Sequence, residues 1–105
     1  MLGEAGSDLG GLKLALLAYQ KSLAGKSPPP LIDGFTGEQR FFLGFALMWA
    51  GNASPEWERL RAQTDPHPLV RFRVNGTLGN TPEFAAAFGC KRGEAMVREE
   101  KCAVW

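Results

Sequence analysis

Nine consecutive residues, Phe41-Phe42-Leu43-Gly44-Phe45-Ala46-Leu47-Met48-Trp49, carry no charged side chain and are apolar on every side of a helical wheel. Just ahead of them, Thr36-Gly37-Glu38-Gln39 has the capping-box form, a hydroxyl residue followed three places later by a glutamine that can bond back, so the run opens a helix. A helix that is apolar all round must be enclosed by protein on all sides. A chain of 105 residues is at most one domain with a modest core, and has little with which to enclose it. The run therefore predicts that covering surface comes from outside these residues, from another chain or from another part of the same one.

The rest of the composition narrows the class. With 45% hydrophobic and 22% charged residues the chain is globular, and its net charge of +1 points neither to nucleic acid nor to an anionic membrane. No stretch has the eighteen or so uncharged apolar residues of a membrane span, and the N-terminus lacks a basic region followed by an apolar core. Cys90 and Cys102 are too few and too far apart for a zinc ribbon or a redox C-x-x-C; taken alone they form one disulfide or remain thiols. The single histidine, His67, is a poor endowment for a self-contained zinc hydrolase, which usually uses two or three imidazoles.

Along the chain, Leu9, Leu12, Leu16, Tyr19 and Leu23 fall at helix spacing, with Leu14 and Leu17 widening the stripe and Gly25 as a left-handed stop. Lys26-Ser27-Pro28-Pro29-Pro30 is an extended segment, either a surface connector or a ligand for a proline-reading domain. Gly51 is expected to end the apolar helix. Ser54-Pro55-Glu56 caps another, with Trp57 and Leu60 on its apolar edge. Thr64-Asp65-Pro66-His67-Pro68 breaks that helix and pins His67 on a stiff loop, a placement compatible with a structural or a functional histidine. Val70-Arg71-Phe72-Arg73-Val74 alternates like a strand, though Pro68 could equally open a short helix; Asn75-Gly76 signals a turn. Thr81-Pro82-Glu83 caps a final helix to Phe88, stopped by Gly89, and the apolar end Cys102-Ala103-Val104-Trp105 is expected to tuck into a core.

Ahead of all this stands Leu2-Gly3-Glu4-Ala5-Gly6-Ser7-Asp8-Leu9-Gly10-Gly11. If it begins a helix, the i, i+4 spacing sets Glu4 and Asp8 on one face a turn apart. One carboxylate could bind a cation or a proton while the other orients a neighbour. Both could equally be an acidic first turn that complements the helix dipole.

Five ordered blocks carry a specific resemblance: Gly3-Glu4 with Asp8-Leu9-Gly10-Gly11; Gln39 with Phe41-Phe42 and Trp49; Thr64-Asp65-Pro66-His67 with Phe72-Arg73-Val74-Asn75-Gly76; Pro82-Glu83-Phe84 with Ala87-Phe88; and Lys101-Cys102 with Val104-Trp105. Together they resemble the C-terminal end of the neprilysin family of zinc endopeptidases, which also includes the endothelin-converting enzymes and bacterial oligopeptidases. The resemblance implies a mainly α fold, residues 1–105 being the C-terminal helical portion of a zincin-like catalytic domain and incomplete on their own. It implies Glu4 as the third ligand of one zinc ion and Asp8 as the acceptor that holds a zinc-bound histidine. His67 would donate to the oxyanion, Arg73 would grip a backbone carbonyl of the peptide substrate, and Met48 and Trp49 would wall the pocket for the residue after the cleaved bond.

The H-E-x-x-H helix that supplies two ligands and the general base lies upstream in that family and is absent here, so the chain alone is expected to be inert. Its partners would be a peptide substrate and the missing N-terminal part of the domain. An intact member would be secreted or a membrane-anchored ectodomain, some bacterial members being cytosolic. The resemblance also implies that Cys90 and Cys102 bond to upstream partners, not to each other, and the glycosylation patterns at Asn52 and Asn75 matter only in a secreted eukaryotic parent. Three departures stand out: Ala5-Gly6-Ser7 where the family usually has Asn-Ile-Ala, which should weaken the helix under Glu4; Pro68-Leu69 for Ser-Pro; and Ala50 for a cysteine. The competing expectation is a non-catalytic helical module that binds a partner through the surface around residues 41–49.

Overall fold

The computed structural model describes residues 2–104, which form five helices and, among them, no strand beyond an isolated bridge between Ile32 and Phe35. They are α1 (Leu2–Leu23), α2 (Gly37–Met48), α3 (Pro55–Thr64), α4 (Val70–Gly79) and α5 (Pro82–Phe88). The fold is therefore mainly α, as the resemblance implies. Helix α1 is continuous through Ala5-Gly6-Ser7, where Ser7 Oγ donates back to the Gly3 carbonyl at 2.9 Å.

Local chemistry sets most boundaries. Thr36 caps α2 with both arms of the capping box: its hydroxyl accepts from the Gln39 N–H at 3.1 Å and Gln39 Oε1 accepts from the Thr36 N–H at 2.9 Å. The amide end of Gln39 then donates to the Ala87 carbonyl at 2.9 Å, tying α2 to α5. Ser54 caps α3 ahead of Pro55, Pro82 stands in the first turn of α5, and Gly89 closes α5 at φ 66°. Gly51 does not end α2: the helix stops at Met48, and the Trp49 N–H bonds back to the Ala46 and Leu47 carbonyls.

Val70 to Val74, whose pattern fits a strand or a short helix, are helical, and the expected turn at Asn75-Gly76 does not form, since both residues lie inside α4. The reason is tertiary. Continuing the helix carries Thr77, Leu78 and Gly79 into burial and puts Leu78 beside Leu12, Leu16 and Phe42, a gain that outweighs a local turn preference.

Those four residues are the whole buried apolar core among the described residues, with Tyr19, Phe41, Phe45, Val74, Phe84, Phe88 and Met96 packed around it. Phe42 is 1% exposed and meets Phe41 and Phe84 edge-on at 5.3 and 5.5 Å. The core is thin. Leu14 and Leu17 widen no buried stripe, being 56% and 50% exposed, and on α2 Leu47 and Met48 are 71% and 67% exposed. The apolar helix is thus covered on one side only. The accessible surface, 7281 Å², exceeds the roughly 5,800 Å² of a compact monomer of this mass, and the radius of gyration, 15.2 Å, exceeds the expected value of about 13 Å.

After α5 the chain runs without regular structure across the end of α4, where the Arg98 N–H donates to the Gly79 carbonyl and the Cys102 N–H to Asn80 Oδ1 at 2.9 Å. The expected apolar terminus is not tucked into the core: Cys102, Ala103 and Val104 are exposed, and Trp105 lies outside the described residues. Cys90 and Cys102 are free thiols.

Because so little else is buried, Phe42→Ala should cost about 3–5 kcal/mol, the usual loss for a fully enclosed phenylalanine, and leave the chain at or past its folding limit in urea titrations followed by circular dichroism. Thr36→Ala, which removes one cap, should cost about 1 kcal/mol in the same titration.

Candidate functional site

The first turns of α1 and the length of α4 lie side by side, and their contact is polar at one end. Arg73 on α4 grips Asp8 on α1 with two parallel bonds, Nε to Oδ2 at 2.6 Å and Nη2 to Oδ1 at 2.7 Å. Both side chains are nearly out of water, 12% and 11% exposed. This is the fork-on-carboxylate geometry in which charge and direction reinforce each other. The face of the same guanidinium lies 4.1 Å from the centroid of the Trp49 ring, so Arg73 is bonded edge-on and stacked face-on at once. The bonds to Asp8 hold the Arg73 pKa above its ordinary value; burial opposes this, and the charges of Asp8 and Glu4 add to it.

Glu4 is held differently. Its Oε2 lies 3.4 Å from Arg73 Nη2 and its Oε1 3.8 Å from His67 Nε2, both long, and its side chain is 43% exposed. Of two carboxylates a turn apart on one helix face, Asp8 is clamped and Glu4 is open. That difference is what a site needs if one carboxylate is to meet a cation and the other to serve behind it.

His67 arrives from the loop between α3 and α4. Asp65 holds it twice through a single oxygen: Oδ1 accepts the His67 backbone N–H at 2.8 Å, closing an Asx turn, and the ring Nδ1–H at 2.6 Å. An ionised carboxylate can only accept, so Nδ1 carries the proton and Nε2 faces Glu4. The other oxygen of Asp65 takes Arg61 Nη2 at 2.8 Å. The pKa of Asp65 is lowered, first by the His67 backbone N–H, against a desolvation effect that raises it, and then by the His67 ring and the charges of Arg61 and His67.

Glu4, Asp8, His67, Arg73 and Trp49 therefore converge on one patch. Met48 does not join them directly; its exposed side chain edges an open hollow of about 400 Å³ that Ser7, Asp8, Gly11 and Phe45 also line. Trp49 lies against Arg73, and its Nε1 is buried with no acceptor among the described residues. Asp65 and Arg61 escaped the reading of the sequence as functional residues. The signal was present in the spacing: an aspartate two residues before a histidine forms an Asx turn, and an arginine four residues before that aspartate shares its face. Among the described residues no three of His, Cys, Asp or Glu stand close enough to hold a metal ion together. Glu4 fits one corner of a zinc site, as a hard carboxylate donor with open oxygens.

The model of peptidase family M13 matches residues 1–104, and the chain belongs to that family. It is 46% identical to human endothelin-converting enzyme 1 and 41% identical to human neprilysin, over 99% of its own length and 14% of theirs. In structure it is similar to the zinc metalloprotease Zmp1 of Mycobacterium tuberculosis: TM-score 0.80 to an inhibitor complex, at 43% identity over 88% of this chain and 14% of that one, and 0.85 to the open state, over 92% and 15%. The chain thus spans about one seventh of the length of the relatives it matches. No helix among the described residues is long and apolar enough to cross a membrane.

Two outcomes test the geometry. Arg73→Met, which strands the Asp8 carboxylate, should destabilise the chain by about 3–5 kcal/mol, whereas Asp8→Leu with Arg73→Met should recover most of that loss in a double-mutant cycle. Because the pKa of Asp65 is lowered in the folded chain, its contribution to stability is present above the ordinary value of 3.8 and is lost as pH falls through the folded value. A carbon-13 titration of Asp65 should therefore show a midpoint below 3.8.

Proposed function

We propose that these residues are the C-terminal segment of the catalytic domain of a zinc metalloendopeptidase, to which they contribute one metal ligand and the groups that hold the peptide and its developing charge. The observation that carries the reading is the pairing of an open Glu4 with a clamped Asp8 beside an oriented His67, in a chain of peptidase family M13. Glu4 would be the carboxylate ligand. When bound, zinc supplies a nucleophilic water at neutral pH and polarises the scissile carbonyl.

The chain's own residues do the rest. Asp8 keeps a second lone pair on each oxygen while bonded to Arg73, enough to accept the ring N–H of a ligand histidine from the preceding part of the domain. Asp65 holds Nδ1 of His67, so Nε2 is the nitrogen presented to substrate. As an imidazolium it donates to the oxyanion formed when the carbonyl is attacked. Arg73 spends Nε and Nη2 on carboxylates, leaving Nη1 to a carbonyl of the bound peptide, while Trp49 keeps the guanidinium plane from turning. Met48 edges the adjoining hollow, where a side chain of the substrate would rest.

The exposed faces of α1 and α2 support the same reading, since a helix such as α2 needs cover on both sides. They would equally serve a non-catalytic module that binds a partner. Zinc separates the two. The chain by itself should bind no zinc with nanomolar affinity and cleave no peptide, whereas the complete domain should hold one zinc and lose it, with its activity, on Glu4→Gln. Tight stoichiometric zinc in the chain alone, or full zinc in the Glu4→Gln domain, would falsify the assignment.

A further inference from the structure

We propose that Arg61 is a positioning residue for His67, acting through Asp65. For its catalytic consequence the proposal rests on the role given to His67 above; its geometry does not.

Asp65 orients the imidazole with one oxygen only, so the direction of the ring depends on what fixes the other. Arg61 fixes it. Its Nη2 lies 2.8 Å from Oδ2, and the Asp65 N–H donates to the Arg61 carbonyl at 2.9 Å, so backbone and side chain tie the same two residues together at the end of α3. The guanidinium is itself seated, with its carbon 5.0 Å from the centroid of the Trp57 ring, one helical turn earlier on the same face.

Arg61 Nε is buried and has no acceptor among the described residues. An arginine engaged in an ordinary surface ion pair would swing that N–H into water, since such pairs hold their side chains weakly. Here that N–H is turned inward, out of water, while Nη2 keeps its bond to Asp65. The arrangement is a chain of three, Trp57 under Arg61, Arg61 on Asp65 and Asp65 on the ring of His67. It fixes which nitrogen of His67 carries the proton and where Nε2 points.

The histidine is the only one in the chain, so its ring nitrogens give unambiguous nitrogen-15 signals from the whole 105-residue protein. At a pH where the ring is neutral, the unaltered chain should show Nδ1 as the protonated nitrogen. Arg61→Ala should shift the ring toward the mixture of tautomers of a free histidine, Arg61→Lys should restore part of the preference, and Asp65→Ala, which removes the acceptor, should abolish it. A ring signal unchanged by Arg61→Ala, in a variant whose helix content by circular dichroism is intact, overturns the proposal. Should Arg61→Ala unfold the chain, Arg61→Lys and Trp57→Leu carry the test, and an unchanged ring in both overturns it.

The measurement needs neither zinc nor hydrolysis, so it stands or falls apart from the peptidase reading. In the complete domain Arg61→Ala should lower kcat about tenfold at unchanged KM, the scale of a small misplacement of an oriented group. Activity untouched by Arg61→Ala but abolished by His67→Ala overturns the positioning role. Activity untouched by His67→Ala overturns the peptidase role of His67 and leaves the ring measurement standing.

Discussion

The bond between Arg73 and Asp8 is the constraint on which the rest of this structure turns. It joins residues 65 positions apart, fixes the rotation of α1 against α4, and so decides which way Glu4, one turn before Asp8, must face. Burying such a pair does little for net stability, because the attraction between the charges is spent on removing both from water. What it secures is register. Slipping either helix by one residue would leave two charges buried without partners, a penalty that apolar contacts between Leu12, Leu16 and Leu78 could not impose, since such contacts tolerate repacking.

Around that bond the side chains sort by how firmly they are held. Asp8 and Arg73 are rigid and dry. His67 is fixed by a loop of prolines and one carboxylate, and Glu4 is left loose at the edge of the patch. A catalytic site needs this gradation, because the group that meets a ligand must have unspent bonding capacity, whereas the groups behind it must have none. The chain belongs to peptidase family M13 and spans about one seventh of the length of its relatives, and within the patch Glu4 is the carboxylate left open.

Much of the fold was legible in the sequence because its signals are local. The capping box at Thr36, serine and proline ahead of α3, and glycine after α5 each act within a few residues, and each stands where the pattern put it. Illegible were the outcomes decided at a distance. Asn75-Gly76 looks like a turn until Leu78 is given a core to enter, and Val70 to Val74 alternates like a strand until α1 lies alongside. The candidate site divides in the same way. The spacing of Glu4 and Asp8 showed that they share a face, and the prolines showed that His67 is on a stiff loop. Nothing local could show that Arg73 would spend two nitrogens on Asp8, or that Trp49 would stack on it. The part played by Asp65 is not legible either, because its importance lies in the direction it gives to another side chain.

Helix α1 buries only Leu12, Leu16 and Gly10 and leaves Leu14 and Leu17 open to solvent. If the missing part of a catalytic domain packs there, those two leucines are interior residues that happen to look like surface ones. A polar replacement would then make the isolated chain more soluble while harming the intact molecule, so the tolerance of a variant measured on this piece would carry the opposite sign from its effect on the whole.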